Sequence, residues 1–392
     1  MKRKISLFLC FMMVFTMFTA CSNEQGTSTS EAGSDEDVIK IGVFEPLTGE
    51  NGGGGLQELD GIEYANKMYP EVLGKKIQLV VVDNKSDKGE GTTSVSRLIE
   101  KDKVAAIIGS YGSGVSIAAG DIIKNAKIPA MGASCTNPMV TQGNEYYFRA
   151  CFIDPFQGKV MANYALEKGA KTAAVIMQNG DDYSIGLGNF FIKSFKELTG
   201  DENSIIDVSE FQVNDTDFNS ILTNIKAKNP DVIFAPSSLT TAPLIISQAR
   251  DLGIKSLIMG GDTWENPSVI DVAGSDAEGI FISTFFDESN PATEEARSFI
   301  EGYREELGGK EPNIPAVAAL GYDAYLLIRD AIERAGSTNG DAIKDALNST
   351  KDFEGVTGII NFTEEGDADK NIAVIKTVEN GKFKYIDTVE IK

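Results

Sequence analysis

Residues 104–116 read VAAIIGSYGSGVS and residues 128–136 read IPAMGASCT. Each segment starts with a continuous apolar run and ends in a loop of small and polar residues, and a helix is predicted between them. Continuous apolar runs are typical of parallel strands that are covered on both faces, and such sheets bind ligands in the crevice beyond the carboxyl ends of the strands. The two loops therefore predict a binding crevice at one edge of a parallel sheet.

The loop after the first of these strands has the residue types that suit a small anion. Gly109, Gly112 and Gly114 allow a ligand to approach the backbone, while Ser113 and Ser116 stand where a helix begins. The first N–H groups of a helix have no partner within it, and they form the positive end of the helix dipole. We therefore expect a carboxylate at this loop; the alternative is that Ser113 only caps its own helix.

The composition of the chain narrows its function. At 392 residues with 42% hydrophobic residues, the chain is long enough for two domains, and its formal net charge of −22 argues against nucleic acid as a partner. The absence of His excludes Ser-His-Asp and Cys-His catalysis and every His metal site. No G-x-x-x-x-G-K-[ST] phosphate loop occurs, and the glycines at 109–114 lack the dinucleotide-binding spacing. An enzyme on a doubly wound sheet is thus disfavoured, and we predict no catalytic residue, no cofactor and no metal.

Cys135 and Cys151 form no metal-ligand pair, and a disulfide between them stays an open alternative.

The first 37 residues predict export and membrane attachment. Residues 1–20, MKRKISLFLCFMMVFTMFTA, combine basic residues with an apolar run that is short for a membrane-spanning helix, and they predict a signal peptide. The small residues before Cys21 resemble a bacterial lipobox, which predicts cleavage before Cys21 and lipidation of its side chain; the alternative is an ordinary soluble secretory leader. Residues 22–37 are small, polar and acidic, so residues 21–37 are expected to form a lipidated, flexible linker at the outer face of the bacterial cell membrane.

From Val38 onwards, apolar strands alternate with predicted helices. This β-α-β-α order predicts a doubly wound parallel sheet, and the glycines at 52–55 are expected to form a turn after its first strand. The alternation restarts after residues 146–158, so the predicted fold class is α/β with two doubly wound parallel-sheet domains. Strand-like runs near the C-terminus suggest several crossings between the domains. We therefore expect a multi-strand hinge with a ligand cleft between the two domains.

The two predicted units also match in detail. DVIFAP-SSLTT in the second unit repeats the pattern of VAAIIG-SYGSG in the first, a buried strand that leads into a Ser-rich helix start. The spacing from Ser113 to Thr136 is 23 residues, and the spacing from Ser238 to Asp262 is 24. This correspondence predicts that Ser113 and Thr136 lie on one wall of the cleft and that Ser238 and Asp262 lie on the other.

Taken together, these features resemble the branched-chain (Leu/Ile/Val) amino-acid-binding lipoproteins of ABC importers, which have the type I periplasmic-binding fold. The resemblance covers residues 38–392. No single motif is decisive, and the resemblance depends on the order and spacing of several. They are IKIGVFEPLTG, IIGSYGSG, ASCTNPMVT, YYFRACFIDPFQG, DDYSIGLG, SQARDLGI, GGDTW, GYDAYLLI and GVTGIINFTEEGD.

The resemblance implies a non-enzymatic, monomeric receptor that closes around a branched-chain or other apolar amino acid. It further implies delivery to the permease subunits of an ABC importer that has cytoplasmic ATPases. It places an N-terminal ligand-binding domain at residues 38–150 with 285–357, and a C-terminal one at residues 151–284 with 358–392. The alternative within the same fold is a receptor for a small amide, a carboxylate or a short peptide, in uptake or sensing.

The resemblance also implies roles for individual residues. Ser113 matches the serine that holds the ligand carboxylate. Ser134 and Thr136 match the pair that binds the α-amino group through a backbone carbonyl and a hydroxyl, with Thr136 also near the carboxylate. Tyr183 matches a tyrosine from the second domain, and Asp262 falls where the family has an acidic partner for the ligand ammonium. The alternative for Thr136 is that it only forms a turn. The alternative for Asp262 is that it caps a loop, and the alternative for Tyr183 is that it only packs.

Two positions depart from the family pattern. Gly54 lies in the region where relatives often have an aromatic residue, and Ser238 lies where some have Tyr. The pocket for the ligand side chain is therefore expected to be wider, or to be filled by Tyr111 or Trp264; a core position is the alternative for Trp264. These departures affect the identity of the ligand more than its class.

Overall fold

The computed structural model describes residues 38–310 and 313–391. The predicted signal peptide, the lipidation site at Cys21 and the linker lie outside the described residues. Over the described ranges, no helix combines the length and the apolar character that are needed to cross a membrane.

The first sheet has six strands in the order β2-β3-β1-β4-β5-β6. All neighbours pair in parallel except β2, which runs antiparallel to β3. The apolar runs of the sequence account for this, because β4, β5 and β6 are buried over their whole length. The strands are β1 (Val38–Glu45), β2 (Glu71–Val72), β3 (Lys75–Asp83), β4 (Ala106–Ile108), β5 (Ala130–Gly132) and β6 (Tyr147–Arg149).

The remaining strands form a seven-stranded sheet and a short hairpin. In the sheet the order is β15-β14-β11-β10-β9-β7-β8, and β14 and β15 are its antiparallel members. The hairpin pairs β12 with β13. The strands are β7 (Ala173–Gln178), β8 (Ile205–Phe211), β9 (Val232–Phe234), β10 (Leu257–Gly260), β11 (Phe281–Thr284), β12 (Phe353–Gly355), β13 (Gly358–Ile360), β14 (Ile372–Glu379) and β15 (Lys382–Glu390).

The parallel parts of the two sheets have the same topology. The order β3-β1-β4-β5-β6 in the first corresponds to β8-β7-β9-β10-β11 in the second. This is the doubly wound order, in which the strand sequence reverses direction beside the first strand of each unit. The predicted fold class, two doubly wound α/β domains of the type I periplasmic-binding kind, is confirmed.

Helices cover both sheets, and α10 is the most buried of them. Fourteen of its residues are buried, including aromatic and aliphatic side chains that extend a core shared with both sheets. It packs so closely on α1 that a side chain at Gly61 would meet the carbonyl of Ala318. The helices are α1 (Gly52–Met68), α2 (Lys88–Arg97), α3 (Ser113–Ala126), α4 (Asp154–Glu167), α5 (Asp182–Thr199), α6 (Asn219–Lys228), α7 (Ala242–Asp251), α8 (Pro267–Ala273), α9 (Glu294–Leu307), α10 (Ala316–Ala335) and α11 (Gly340–Asn348).

Within the described residues, the chain passes between the two sheets three times: from β6 to α4, from β11 to α9, and from β13 to β14. Buried charge ties two of these segments together, because the Arg149 guanidinium lies 2.5 Å from Asp367 and also donates to the carbonyls of Cys135 and Asn137. Cys151, in the first crossing, is a buried free thiol, as is Cys135. The residue boundaries given above for the two domains stay a prediction.

One local prediction is wrong. The glycines at 52–55 are not a turn; they form the first turn of α1. Glycine is a poor helix former, but here the missing side chains leave room for neighbours, since a Cβ at Gly55 would meet the backbone of Pro46 and one at Gly54 would meet the ring of Tyr111. Tertiary packing therefore overrides the local preference.

Candidate ligand-binding cleft

A cavity of about 330 Å³, counted with the open space at its mouth, lies between the two sheets. Every residue that lines it follows the carboxyl end of a strand: β1, β4 and β5 in the first sheet, and β7, β9 and β10 in the second. Doubly wound sheets bind their ligands at this edge, where the strand order reverses. The lining residues are Asn51, Tyr111, Gly112, Ser113, Ser134, Asp181, Tyr183, Ser238, Asp262 and Thr263.

A second cavity of about 770 Å³ is larger but lies elsewhere, on the flank formed by α8, the β14–β15 turn and the segment before α10. The part of its lining that follows a parallel strand comes after β10 alone, and no strand end of the first sheet contributes to it. We therefore treat the smaller cavity as the candidate site.

On the first wall, the start of α3 is open toward the cavity. Gly112 precedes the helix, and no side chain caps its first turn. The Ser113 hydroxyl does not cap α3 either, because it accepts a hydrogen bond from the backbone N–H of Asn137 at 3.1 Å. Free N–H groups and the positive end of the helix dipole therefore face a cavity that Ser113 also lines.

Tyr111 fills the part of the cavity next to α1. Its ring lies directly against Gly54, so closely that no side chain would fit there. Burial and the surrounding carboxyl groups, Asp262 first among them, raise the pKa of its phenol well above the usual range. The ring thus fills the space next to Gly54, as one of the two expectations for the pocket had it. It comes from the loop after β4 and not from α1.

Two carboxyl groups that no sequence motif indicated lie directly behind this wall. Glu45 ends β1 and accepts the backbone N–H of Tyr111 at 2.5 Å, and Glu58 of α1 accepts the hydroxyl of Ser134. Both are fully buried and lie within hydrogen-bonding reach of each other. Burial raises the pKa of Glu58 to about 7 and that of Glu45 well above its usual range.

The second wall presents Asp262, whose side chain is held in place by two donors. Its Oδ1 accepts from Nε2 of Gln157 at 2.8 Å and from the phenol of Tyr183 at 2.9 Å. Gln157 is held in turn by Ser283, which lies 3.0 Å from the same Nε2. Burial raises the pKa of Asp262 to about 6, and these two hydrogen bonds act in the opposite direction.

On the second wall, a side chain caps the start of α5, whereas no side chain caps the start of α7. Asp181 precedes α5 and accepts the N–H groups of Tyr183 and Ser184. Ser238 shares a hydrogen bond of 3.0 Å with the hydroxyl of Thr241. The second wall therefore offers the cavity carboxylate and hydroxyl groups, and no Lys or Arg is among the residues that line the cavity.

Two of the predicted site residues lie outside the cavity. Thr136 is wholly buried; its carbonyl accepts the N–H of Asp154 at 2.9 Å, while its hydroxyl forms no hydrogen bond that meets the usual geometry with any described residue. Trp264 belongs to the core of the second sheet, where its ring packs on Gly260 and its indole N–H points to Ser237 Oγ at 3.3 Å. The position of Trp264 therefore matches the alternative, a core residue, and not a residue of the ligand pocket. The other predicted residues, Tyr111, Ser113, Ser134, Tyr183, Ser238 and Asp262, line the cavity together.

The two walls are in direct contact around the cavity, so the cleft is closed. The contacts are hydrogen bonds and one ion pair. On the first wall they come from the loop before α1, from α1 and α2, and from the loop after β5; on the second wall they come from the end of β7, the start of α5 and the loops after β9 and β10. They join Lys88 to Asp182 (2.7 Å), Asn137 to Asp182 (2.8 Å), Gln57 to Asn266 (2.9 Å), Glu50 to Gln178 (3.0 Å) and Asn51 to Leu239 (3.2 Å).

Two doubly wound domains that face each other across a closed cleft are the architecture of two-domain solute receptors. The chain belongs to the periplasmic binding protein family, whose model matches residues 38–382. A leucine-binding protein from Thermotoga maritima has a similar structure, with a TM-score of 0.86 and 39% identity over 90% of this chain and 99% of that one. A branched-chain amino acid transporter substrate-binding protein from Streptococcus pneumoniae, solved with isoleucine, gives a TM-score of 0.82 and 33% identity over 90% and 100%. A Leu/Ile/Val-binding protein homologue from Brucella melitensis is 27% identical over 88% of this chain and 92% of its own length.

Proposed function

We propose that this protein is an extracytoplasmic receptor that captures an amino acid and delivers it to an ABC importer. The observation that carries the proposal is the opposition of Asp262 on one wall to the open start of α3 on the other. A zwitterion has one negative and one positive group, and these two walls offer a partner to each. The similarity to leucine- and isoleucine-binding proteins supports a branched-chain amino acid as the ligand.

The proposed roles follow the hydrogen-bonding capacity of each side chain. The N–H groups at the start of α3 and the hydroxyl of Ser113 bind the ligand carboxylate. Asp262 pairs with the ammonium, and Tyr183 holds Asp262 in place while it lines the same wall. Ser134 already donates its proton to Glu58, so its oxygen is free to accept from the ammonium.

Closure of the cleft is part of the proposed mechanism. A ligand that contacts both walls favours the closed form by the difference between its affinities for the closed and open forms. The contacts around the cavity, such as Lys88 with Asp182, then add to this preference. The proposal also includes attachment to the membrane through Cys21, a monomeric state and docking to permease subunits. It includes no catalytic step.

The composition of the cavity favours a second candidate for the ligand. None of its lining residues is Leu, Ile, Val or Phe, whereas Asn51, Ser238 and Thr263 contribute polar groups. Pockets for apolar ligands are lined mostly by hydrophobic side chains. A compact polar ligand, such as a small amide, is therefore the alternative.

A thermal-shift screen of residues 37–392 tests both candidates. The twenty amino acids are compared with simple amides and simple carboxylates. A ligand that binds only the folded protein stabilises it by roughly 2.7 kcal/mol at a hundred times its dissociation constant, which gives a clear shift of the melting temperature. Shifts with aliphatic amino acids support the first candidate, and shifts with amides alone support the second. Shifts with neither class would contradict the proposed function.

A further inference from the structure

The buried pair Glu45 and Glu58 has an arrangement that two ionised carboxylates cannot maintain. One oxygen of each, Glu45 Oε1 and Glu58 Oε1, is buried without a hydrogen-bond donor from the described residues. The other oxygen of each has a donor, the N–H of Tyr111 or the hydroxyl of Ser134. No Lys or Arg in the described part of the chain forms a salt bridge with either group. A proton held between the two carboxyl groups would supply the missing hydrogen bond, since a protonated carboxyl group is a donor.

This pair is linked to the cavity on both sides. Glu45 fixes the backbone of Tyr111, and Glu58 fixes the hydroxyl of Ser134, and both partners line the cavity. The negative charge of Asp262, across the cavity, further disfavours ionisation of Glu58. Any positive charge that arrives beside Asp262 and Ser134 therefore changes the electrostatic environment of the pair.

We propose that Glu58 is a positioning residue for the ligand ammonium, and that Glu58 loses a proton to solvent when an amino acid binds, while Glu45 keeps the proton that the two carboxyl groups share. This inference rests on the proposed function, because it needs a cationic group at Asp262. In the free protein, Asp262 repels a second negative charge at Glu58. An ammonium group that pairs with Asp262 cancels this repulsion and favours the ionised form of Glu58. Ionised Glu58 then accepts the Ser134 hydroxyl more strongly, which keeps the serine oxygen directed at the ammonium.

Several other titratable groups face this region. Tyr111 and Cys135 adjoin the pair, and burial raises the pKa of each, that of Cys135 to about 11. Asp154, at the start of α4, is buried, neither of its carboxyl oxygens has a hydrogen-bond partner in the described part of the chain, and burial raises its pKa to about 8. Asp262 titrates at lower pH, with a pKa of about 6. Asp154 is thus the competing source of a proton near neutral pH, and it requires its own variant.

Calorimetry at pH 7 tests the inference by counting protons. Binding of L-leucine, or of the amino acid that gives the largest shift in the screen, is measured in phosphate and in imidazole buffers. Their ionisation enthalpies differ, so the difference in observed enthalpy gives the number of protons exchanged. We expect release of up to one proton per ligand at pH 7, where Asp262, with its pKa of about 6, is mostly ionised already and contributes little.

Three variants identify the source of the proton. Glu58→Gln keeps the shape and an acceptor for Ser134, and it should abolish the release. Glu63→Gln is the matched control, since Glu63 is an exposed residue of the same helix, and it should leave the release unchanged. Asp154→Asn should also leave it unchanged. If the Glu58 variant does not fold, infrared difference spectroscopy of the unaltered protein and of Asp154→Asn provides the test, because both should lose the absorption of a protonated carboxyl group when the amino acid binds.

The outcomes separate this inference from the proposed function. Amino acid binding without proton release in the unaltered protein overturns the inference and leaves the function intact. Release that persists in Glu58→Gln, or that disappears in Asp154→Asn, also overturns it. Failure of the unaltered protein to bind any amino acid contradicts the proposed function and the inference together.

Discussion

The two walls of the cleft are built from equivalent strand ends, yet they differ in charge. On the first wall α3 starts without a capping side chain, and the carboxyl groups of Glu45 and Glu58 lie behind the surface. On the second wall Asp181 caps the start of α5, and Asp262 lines the cavity itself. Topology thus places three loops on each side, and the side chains in those loops decide which wall attracts an anion and which attracts a cation.

The largest expected effect on ligand affinity comes from the second wall, which presents Asp262 to the cavity. Asp262→Asn keeps the size of the side chain but removes the charge that would pair with a ligand ammonium. A buried charge pair that loses one member costs about 2–5 kcal/mol, so we expect amino acid affinity to fall by at least about thirtyfold. Isothermal titration calorimetry measures the loss, and Asp271→Asn, an exposed acid in α8, is the matched control. Unchanged affinity in Asp262→Asn would falsify the assignment of the ammonium to this wall.

The carboxyl pair behind the first wall predicts how stability depends on pH. Burial raises the pKa of Glu58 from 4.5 to about 7, so the folded state binds its proton more tightly than the unfolded state does. Stability from this group is complete below pH 4.5 and is lost as the pH rises to about 7, a loss on the order of 3 kcal/mol. Glu58→Gln should therefore reduce the fall in unfolding free energy between pH 5 and 8, measured by urea denaturation. Glu63→Gln should not, and an equal pH dependence in both variants contradicts the burial argument.

A smaller difference is expected between the two equivalent serines. Ser113→Ala removes a hydroxyl that lies beside the open start of α3, whereas Ser238→Ala removes one that is already paired with Thr241. A hydrogen bond to a charged group contributes about 1.5–3 kcal/mol, so Ser113→Ala should weaken binding by more than about tenfold. Ser238→Ala should weaken it much less. A larger loss in Ser238→Ala would mean that the carboxylate binds to the second wall instead.

The sequence was sufficient for the fold because its signals are local. Buried parallel strands appear as apolar runs, and their alternation with helices specifies the doubly wound order. The same logic placed Ser113 and Asp262 at strand ends that meet. It could not place Trp264, because a turn of three residues after β10 directs Asp262 to the cavity and Trp264 into the core.

The carboxyl pair could not be predicted from local pattern. Glu58 meets Ser134 across 76 residues, and only the close packing of α1 brings it there. Its signal in the sequence was present but weak: an acidic residue at a position of α1 that otherwise faces the core, next to Leu59 and Ile62. The prediction of a turn at glycines 52–55 was wrong for the same reason, since the conformation of these residues depends on packing against Tyr111 and Pro46 and not on their neighbours in the chain.

The smallest effect is expected where the two walls touch outside the cavity. Lys88 and Asp182 form a half-exposed ion pair of 2.7 Å that links the start of α2 to the start of α5. Exposed pairs of this kind contribute about 0–1 kcal/mol, and they are screened by salt. Lys88→Met should therefore lower ligand affinity by less than about fivefold, and the difference from the unaltered protein should shrink further in 0.5 M NaCl. Because the pair joins the walls without lining the cavity, its loss should act on closure alone and leave the order of preference among amino acids unchanged. A changed order of preference in Lys88→Met would show that this contact, and not only the lining of the cavity, helps to select the ligand.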